Sequence, residues 1–430
     1  MFALFKYRGA FAFYSAIFLN AFIDLGHKIT VQNTVFKVHD GQLQIILIAI
    51  VNALILLPYI VLLVPIGRLA NRTPKPKLMR ITALFSVLFT AALLLCYTFG
   101  WFWAAFAMTV LMATQSALYS PAKLSYLKVL FGTHMLSQSN ALAQAVVIAG
   151  ILLGTLLFSL LFEQLYQGLT VADATGVGVS KSEVTQTMMP LGVLLLGLAI
   201  VQALVVWRIP ILSEGDTADL ASASREPAMR MSDLLGNVLR NPQLLYPVAG
   251  LALFWSVGQG MLAAFPAFAK EQAGITNVAI VQAVLASSAI GIALGAMLVA
   301  RLSPARINYR LIGPGVIGLA TGLWLLPLFD QAWQFALIYF LLGVASALLL
   351  VPLMASVQQH AAAGQIGGVI AGSNFFQNIA MLLMLLLTIG FALLQASAQS
   401  LLYIIAGLAT VLGLFIAWHL YRLFIADSRA

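Results

Sequence analysis

The chain consists mainly of long, continuously apolar runs separated by short polar stretches. A run of about 20 apolar residues is long enough for an α-helix to cross the hydrocarbon core of a bilayer. Because lipid offers no partner for exposed backbone groups, such runs must be helices, and their unbroken apolarity excludes the alternating segments of a membrane β-barrel. The predicted fold class is all-α, with twelve transmembrane helices. They lie near 10–38, 43–66, 79–99, 101–119, 137–163, 189–211, 244–269, 277–300, 310–329, 332–354, 367–391 and 399–424.

Composition supports the same conclusion. Hydrophobic residues make up 62% of the chain and charged residues only 8%, against about 45–50% and about 25% in soluble domains. Too few polar residues remain to cover a water-facing surface of this size. A water-soluble enzyme is therefore excluded, and the protein is expected to be an integral, multi-pass membrane protein.

Basic residues predict the orientation. If both termini lie on one side of the membrane, 18 of the 22 lysines and arginines lie on that same side. The exceptions are Lys28, Lys37, Lys181 and Lys270. Because cytoplasmic loops carry an excess of Lys and Arg, both termini are expected in the cytoplasm. The net charge of +9 is then loop charge rather than a sign of an anionic partner.

The chain has two halves joined by one long polar stretch. A unit of span, proline, loop, Ser-Asn and span occurs around Pro121 and Asn140 and again around Pro352 and Asn374. Such internal repeats are common in transporters, and they predict two pseudo-symmetric bundles. The predicted domains are an N-terminal six-helix bundle at 1–212, a cytoplasmic linker at 213–243 and a C-terminal six-helix bundle at 244–430.

The first predicted span carries an unusual polar stripe. Asn20, Asp24, Lys28 and Gln32 recur every four residues, with His27 beside them, so they share one helical face. A charge inside a span costs about 2.5–3.5 kcal/mol on insertion scales, which calls for a function or a partner. One interpretation is a binding site in which Asp24 holds a cationic amine and Lys28 a phosphate. The other is an Asp24–Lys28 ion pair that neutralises itself.

Two amide clusters occupy matching positions in spans 5 and 11. The first contains Asn140 and Gln144, and the second contains Asn374, Gln377 and Asn378. Each cluster lies on one helical face. Interhelical hydrogen bonds in membranes contribute about 0.6 kcal/mol each, which suits contacts that form and break. The clusters are predicted to line a substrate site or gate, with static helix association as the alternative.

Isolated residues complete the candidate set. Gln259 in span 7 is a weaker candidate for substrate binding. Lys123, at the inner end of span 4, either contacts a lipid phosphate or simply follows the positive-inside rule. Close helix packing through small residues suggests gating contacts at two glycine pairs, which are Gly150 with Gly154 and Gly291 with Gly295.

Signatures of catalysis are missing from the sequence. No histidine is followed five residues later by aspartate, as in glycerolipid acyltransferases, and neither a nucleophile elbow nor a phosphate-binding loop occurs. The five histidines lie apart, so no metal site is expected. Basic residues are not interleaved with aromatic ones as in nucleic-acid-binding proteins. We expect no enzyme activity, catalytic residue, cofactor, metal or nucleic-acid partner.

The segment GRLANRTPKPKLMR at 67–80 resembles the basic loop between the second and third spans of the major facilitator superfamily. The resemblance implies the major facilitator fold, alternating access, and a gating role for Gly67, Arg68 and Arg72. Asn71 departs from the pattern, since the family usually has an aspartate there.

A narrower resemblance is to bacterial lysophospholipid transporters, which also form the membrane portion of fused acyltransferase/acyl-carrier-protein synthetases. It rests on FLNAFIDLGHK (18–28), YSPAK (119–123), SNALAQA (139–145), FWSVGQG (254–260), VPLMASVQQ (351–359) and SNFFQNIAMLLML (373–385). The chain departs from the family at Gln144 and Gln377, where acids are usual, and near Leu262, where a basic residue is usual.

This resemblance implies a flippase in the bacterial cytoplasmic (inner) membrane. Its substrate would be a lysophospholipid, above all lysophosphatidylethanolamine, moved from the outer to the inner leaflet for reacylation. The implied partners are membrane lipid and a cytoplasmic acyltransferase/acyl-carrier-protein synthetase, in cis or in trans. Two alternatives stay open, which are a proton-coupled exporter of a drug or siderophore and a membrane scaffold for acyltransferase enzymes.

Overall fold

The computed structural model is all-α. It describes residues 2–63, 65–66, 69, 73–132, 135–172, 179–211, 235–236, 238–303, 307–361 and 366–426. Within these ranges no residue lies in a β-strand. The predicted fold class is confirmed. Most of the predicted linker lies outside the described residues.

Among the described residues, twelve helical segments are long and apolar enough to cross a membrane, which confirms the number predicted from hydropathy. We number them in chain order, leaving the seven-residue helix Lys181–Thr187 unnumbered. They are α1 Ala10–Val38, α2 Gly41–Val61, α3 Lys75–Thr98, α4 Phe102–Phe131, α5 Leu136–Ala172, α6 Met189–Trp207, α7 Pro242–Ala273, α8 Val278–Leu302, α9 Ile312–Leu325, α10 Ala332–His360, α11 Ile366–Leu393 and α12 Ala398–Tyr421. Short 3₁₀ turns extend α9 to a membrane span of Tyr309–Leu328.

Three helices extend well beyond their predicted ends. α4 was predicted to end near 119 and continues through Pro121 to Phe131, because an internal proline does not stop a membrane helix whose neighbours compensate for the lost hydrogen bond. α10, whose Pro352 lies inside the predicted span, continues beyond 354 to His360. α5 was predicted to end at Glu163, where hydropathy falls. It continues to Ala172 because the Glu163 carboxylate pairs with Lys37 inside the bundle.

Contacts divide the chain into two compact units. The first contains residues 1–38 and 57–228, and the second contains residues 39–56 and 229–430. Most of α2 thus groups with the second unit. The predicted domain boundaries remain a prediction, since few residues of 213–243 are described.

Corresponding helices pack together within each unit. In the first unit α1 packs against α4, α5 and α6, and α3 packs against α4 and α6. In the second unit α7 packs against α10, α11 and α12, and α9 packs against α10 and α12. Each pair in the first unit therefore has its counterpart six helices later, as expected for a repeated six-helix fold.

Close packing of α1 on α5 depends on small residues. A side chain at Gly150 would press on the backbone carbonyl of Phe18, and one at Gly154 would press on that of Phe22. Further along the pair, the Phe158 ring lies against Gly26. Glycine lets the two backbones approach closely, so α1 and α5 form one tightly packed pair within the first unit.

In the second unit, α8 and α10 approach even more closely. A Cβ at Gly291 would overlap the Phe340 carbonyl, and a Cβ at Gly343 would overlap the Ser288 carbonyl. Gly295 lies against Val344 on the same face. The crossing therefore requires glycine on both helices.

We expect Gly291→Val to destabilise the protein. The added side chain meets backbone rather than a movable side chain, and such overpacking costs about 1–3 kcal/mol or more. Thermal unfolding in detergent measures the effect. Gly407→Val is the matched control, because no atom lies within 4 Å of the Cβ position at Gly407 in α12. An equal loss of stability in both variants would contradict the proposed role of this crossing.

Candidate functional site

Asp24 lies at the centre of a polar network in the first unit. Its Oδ2 atom accepts hydrogen bonds from Asn20 Nδ2, at 2.9 Å, and from the Ser116 hydroxyl on α4. Its other carboxylate oxygen, Oδ1, has no hydrogen-bond partner among the described residues. The side chain is half-buried. The protein thus holds one carboxylate oxygen of Asp24 by hydrogen bonds, and the other oxygen is available to a ligand.

Asn20 uses its full hydrogen-bonding capacity. Its Oδ1 accepts from Gln115 Nε2 at 3.2 Å and from Gln202 Nε2 at 3.1 Å. Its Nδ2 donates to Asp24 and to the Ser116 hydroxyl, the latter at 3.0 Å. All four partners lie on α1, α4 and α6, so three helices converge on this amide. Gln115, Ser116 and Gln202 were not predicted as site residues.

Lys28 lies one turn beyond Asp24 on α1, about 6 Å along the helix axis. It is half-buried, and in the part of the chain that the structure describes it forms neither an ion pair nor a hydrogen bond. The alternative interpretation of the stripe, an Asp24–Lys28 ion pair, is therefore not formed. Lys28 is thus a basic residue inside the first unit with no counterion among the described residues.

Lys123 lies on the opposite side of Asp24. It is seven residues beyond Ser116 on α4, about 10 Å along the axis, and interacts electrostatically with Asp24. Because α1 and α4 cross the membrane in opposite directions, the two lysines flank Asp24 from opposite ends. The sequence had left the role of Lys123 open between phosphate contact and loop charge.

His27 is 1% exposed and lies within the helix packing of the first unit. Its Nε2 faces the Thr109 hydroxyl at 3.1 Å, and its Nδ1 faces the Tyr97 hydroxyl at 3.5 Å. Both ring nitrogens thus face neighbouring helices. His27 was predicted to contact substrate, and its position is instead typical of an interhelical contact. Contact between His27 and substrate stays a prediction.

A second charged pair lies further along α1. Lys37 Nζ is 2.8 Å from Glu163 Oε1 on α5, and the two side chains are only 8% and 10% exposed. The ammonium also lies 4.3 Å from the centre of the Tyr166 ring, within the range of a cation–π interaction. One helical turn before Lys37, Asn33 donates to the Ser159 hydroxyl at 3.3 Å. The Lys37–Glu163 pair thus extends the contact between α1 and α5 beyond the glycines Gly150 and Gly154.

The predicted amide residues differ in their surroundings. In the second unit, Gln377 is buried and donates to Ser373 at 2.8 Å, while Asn374 is exposed. Gln259 has a buried Oε1 without a partner among the described atoms. Asn140 and Asn378 are half-buried and Gln144 is exposed. Their roles in binding or gating stay predictions.

The predicted gating residues fall into two groups. Gly67, Arg68 and Arg72 lie outside the described residues. The glycine pairs lie inside single units, Gly150 and Gly154 between α1 and α5 and Gly291 and Gly295 between α8 and α10. These glycines tighten the packing of helices within a unit, and a part in gating is not tested by their position.

Comparison with known proteins extends this picture. The Major Facilitator Superfamily model matches residues 9–385. The Lysophospholipid transporter LplT of Yersinia enterocolitica is 27% identical over 338 residues, which cover 76% of this chain and 74% of the relative. The protein of the same name from Photorhabdus laumondii is 24% identical and covers 78% and 77%. A relative from Klebsiella pneumoniae is 34% identical, over 34% of this chain and 37% of its own.

Solved structures show the same fold. The xylose transporter XylE from E. coli, partially occluded and inward-open, superposes with a TM-score of 0.65 at 14% identity and covers 96% of this chain and 97% of its own. A POT family transporter in complex with 5-aminolevulinic acid superposes with a TM-score of 0.70 at 13% identity and covers 97% of each chain. At such identities the likeness concerns the fold alone.

Proposed function

Because the chain belongs to the Major Facilitator Superfamily and is a multi-pass membrane transporter, we propose that it moves lysophospholipids across the membrane. The similarity to proteins named lysophospholipid transporters supports this substrate class. The observation that carries the proposal is that two groups one helical turn apart, the Oδ1 atom of Asp24 and the Lys28 ammonium, have no partner among the described residues.

Charge complementarity favours a zwitterionic headgroup. The free Oδ1 of Asp24 can accept a hydrogen bond from an ammonium group, and a charge-assisted bond of this kind contributes about 1.5–3 kcal/mol. Lys28 has no counterion among the described residues, so a phosphate would supply one. Phosphoethanolamine carries both groups a few bonds apart. Lysophosphatidylethanolamine is therefore the substrate that we propose.

A second cation gives the phosphate two places to bind. Lys28 and Lys123 lie on opposite sides of Asp24 along the antiparallel helices α1 and α4. A headgroup held by Asp24 through its ammonium can contact Lys28 in one state and Lys123 in another. The single acyl chain would remain against apolar helix surface or lipid, where it loses no hydrophobic contact.

We further propose that transport runs from the outer to the inner leaflet of the bacterial cytoplasmic membrane, where a cytoplasmic acyltransferase/acyl-carrier-protein synthetase reacylates the product. Transport would then follow the substrate gradient maintained by reacylation.

The orientation that this direction assumes is testable with reporter fusions. We expect reporters after Arg225 and Ala430 to be active in the cytoplasm and one near Gly176 to be active in the periplasm, because that arrangement places the basic loops inside. Phosphatase and fluorescent-protein fusions measure it. A cytoplasmic reporter at Gly176 would contradict the proposed topology.

The direct test uses purified protein in lipid vesicles. Fluorescent lysophosphatidylethanolamine is added outside, and its protection from a membrane-impermeant reductant is followed with time. Protein-containing vesicles should protect the lysolipid faster than protein-free ones. The two-chain phosphatidylethanolamine with the same fluorophore is the control substrate, and we expect it to be moved more slowly.

Native mass spectrometry gives a second readout, and we expect lysophosphatidylethanolamine to remain bound. Equal rates with and without protein, together with no retained lysolipid, would overturn the proposed function. If the protein moves and retains no lysolipid but binds an acyltransferase, the alternative of a membrane scaffold for acyltransferase enzymes would be favoured.

A further inference from the structure

The orientation of the Asn20 amide is set by two glutamines. An isolated amide can present either its oxygen or its nitrogen to a neighbour. Here Gln115 and Gln202 both donate to Asn20 Oδ1, which leaves the Asn20 amino group to face Asp24 and Ser116. The two glutamines therefore decide that a donor, not an acceptor, faces the carboxylate.

This orientation fixes the rotation of the Asp24 carboxylate. With Asn20 and Ser116 both donating to Oδ2, that oxygen is held and Oδ1 is the one left for a ligand. If the Asn20 carbonyl faced the carboxylate instead, two acceptors would repel each other. Oδ2 would then be held by the Ser116 hydroxyl alone, and the carboxylate would be less firmly oriented.

Gln202 belongs to the network through Asn20 and, among the described residues, forms no hydrogen bond with Asp24. It is fully buried on α6, at 0% exposure, and its Nε2 bonds to Asn20. Its Oε1 has no partner among the described residues. Gln115, by contrast, also accepts from the Ser116 hydroxyl at 3.3 Å. The hydrogen bond to Asn20 is thus the one hydrogen bond that the Gln202 amide forms among the described residues.

We propose that Gln202 is a positioning residue that makes the Asp24 site select ligands carrying an ammonium group over ligands that lack one. It acts through Asn20, which holds the Asp24 carboxylate so that Oδ1 meets the ammonium. This inference rests on the proposed function, because it assigns headgroup selectivity to the same site. It predicts a loss of discrimination rather than a uniform loss of transport.

The test compares two lysolipids in vesicles. Gln202→Met keeps the volume of the side chain and removes its donors. We expect transport of lysophosphatidylethanolamine to fall about tenfold, the equivalent of a charge-assisted hydrogen bond at the lower end of its range. Transport of lysophosphatidylglycerol, which has no ammonium group, should change less than about twofold, because it does not use that bond. Gln282→Met, a buried glutamine in the second unit, is the matched control and should alter neither rate.

A double substitution tests whether Gln202 acts through Asn20. In an Asn20→Leu background the amide is absent, so Gln202→Met should cause no further loss of selectivity. Additive losses would overturn the proposed path. Gln115→Met is an independent variant that removes the other donor to Asn20. It should shift the ratio of the two transport rates in the same direction. The proposal can therefore be tested even if Gln202→Met does not fold.

Two outcomes are distinguishable. Equal loss for both lysolipids in a folded Gln202→Met variant would overturn this inference and leave the proposed function standing. Failure of the wild-type protein to move or bind either lysolipid would overturn the proposed function and the inference with it.

Discussion

Asp24→Asn should reduce transport of lysophosphatidylethanolamine by about 10- to 150-fold, the equivalent of the 1.5–3 kcal/mol that a charge-assisted hydrogen bond contributes. The amide keeps the shape of the side chain and can still accept hydrogen bonds through its oxygen. We therefore expect expression and thermal unfolding to stay close to those of the wild-type protein. Initial rates in vesicles and retention of lysolipid in native mass spectrometry measure the effect.

A double substitution separates substrate contact from charge balance. Lys123 is a basic residue whose charge acts on Asp24 without an ion pair between them among the described residues, so this charge would lose its balance if Asp24 served only to neutralise it. In that case Asp24→Asn with Lys123→Met should recover full transport, because no orphan charge remains. If Asp24 contacts the substrate, the double variant stays impaired. Asp330→Asn, at an exposed acid outside the spans, is the control and should have no effect.

Lys37→Met should destabilise the folded protein by about 3–5 kcal/mol, the usual cost of removing one partner from a buried ion pair. The substitution leaves the Glu163 carboxylate, which is only 10% exposed, without its lysine. Replacing both residues, as Lys37→Met with Glu163→Leu, should recover most of the loss, because apolar residues of similar volume can replace a buried pair. Thermal unfolding in detergent measures all three proteins.

Another ion pair among the described residues, Lys270–Asp40, provides the control for this prediction. Lys270 lies 2.6 Å from Asp40, whose side chain is 78% exposed. Since exposed pairs contribute at most about 1 kcal/mol, Lys270→Met should change stability much less than Lys37→Met. Similar effects of the two substitutions would show that burial does not set the strength of the Lys37–Glu163 pair.

Hydropathy was enough to predict the helices, because crossing a bilayer demands length and apolarity and both can be read along the chain. It failed at Glu163, where the end of an apolar run was taken as the end of a helix. A window of neighbouring residues averages over sequence, whereas the cost of an acid depends on a partner 126 residues away.

The site was predicted in part. Helical spacing placed Asn20, Asp24 and Lys28 on one face, and the cost of a charge in lipid marked that face as important. The same reasoning missed Gln115 and Gln202, because a lone glutamine in an apolar span gives no sign of the helix that it will meet. Periodicity also could not decide whether Asp24 pairs with Lys28, since both arrangements share the same spacing.

The wide sequence separation of these contacts has a consequence for how the protein is made. The bond between α1 and Gln202 spans 182 residues, and ribosomes add about 5–20 residues per second. The partners of the polar face of α1 on α4 are therefore made about 5–20 s after α1, and Gln202 on α6 is made about 10–40 s after it. During that interval the nascent helix must stay beside the insertion machinery, because free lipid would leave its charged groups unsatisfied. The polar network of α1 is thus complete only once α6, which carries Gln202, has been made.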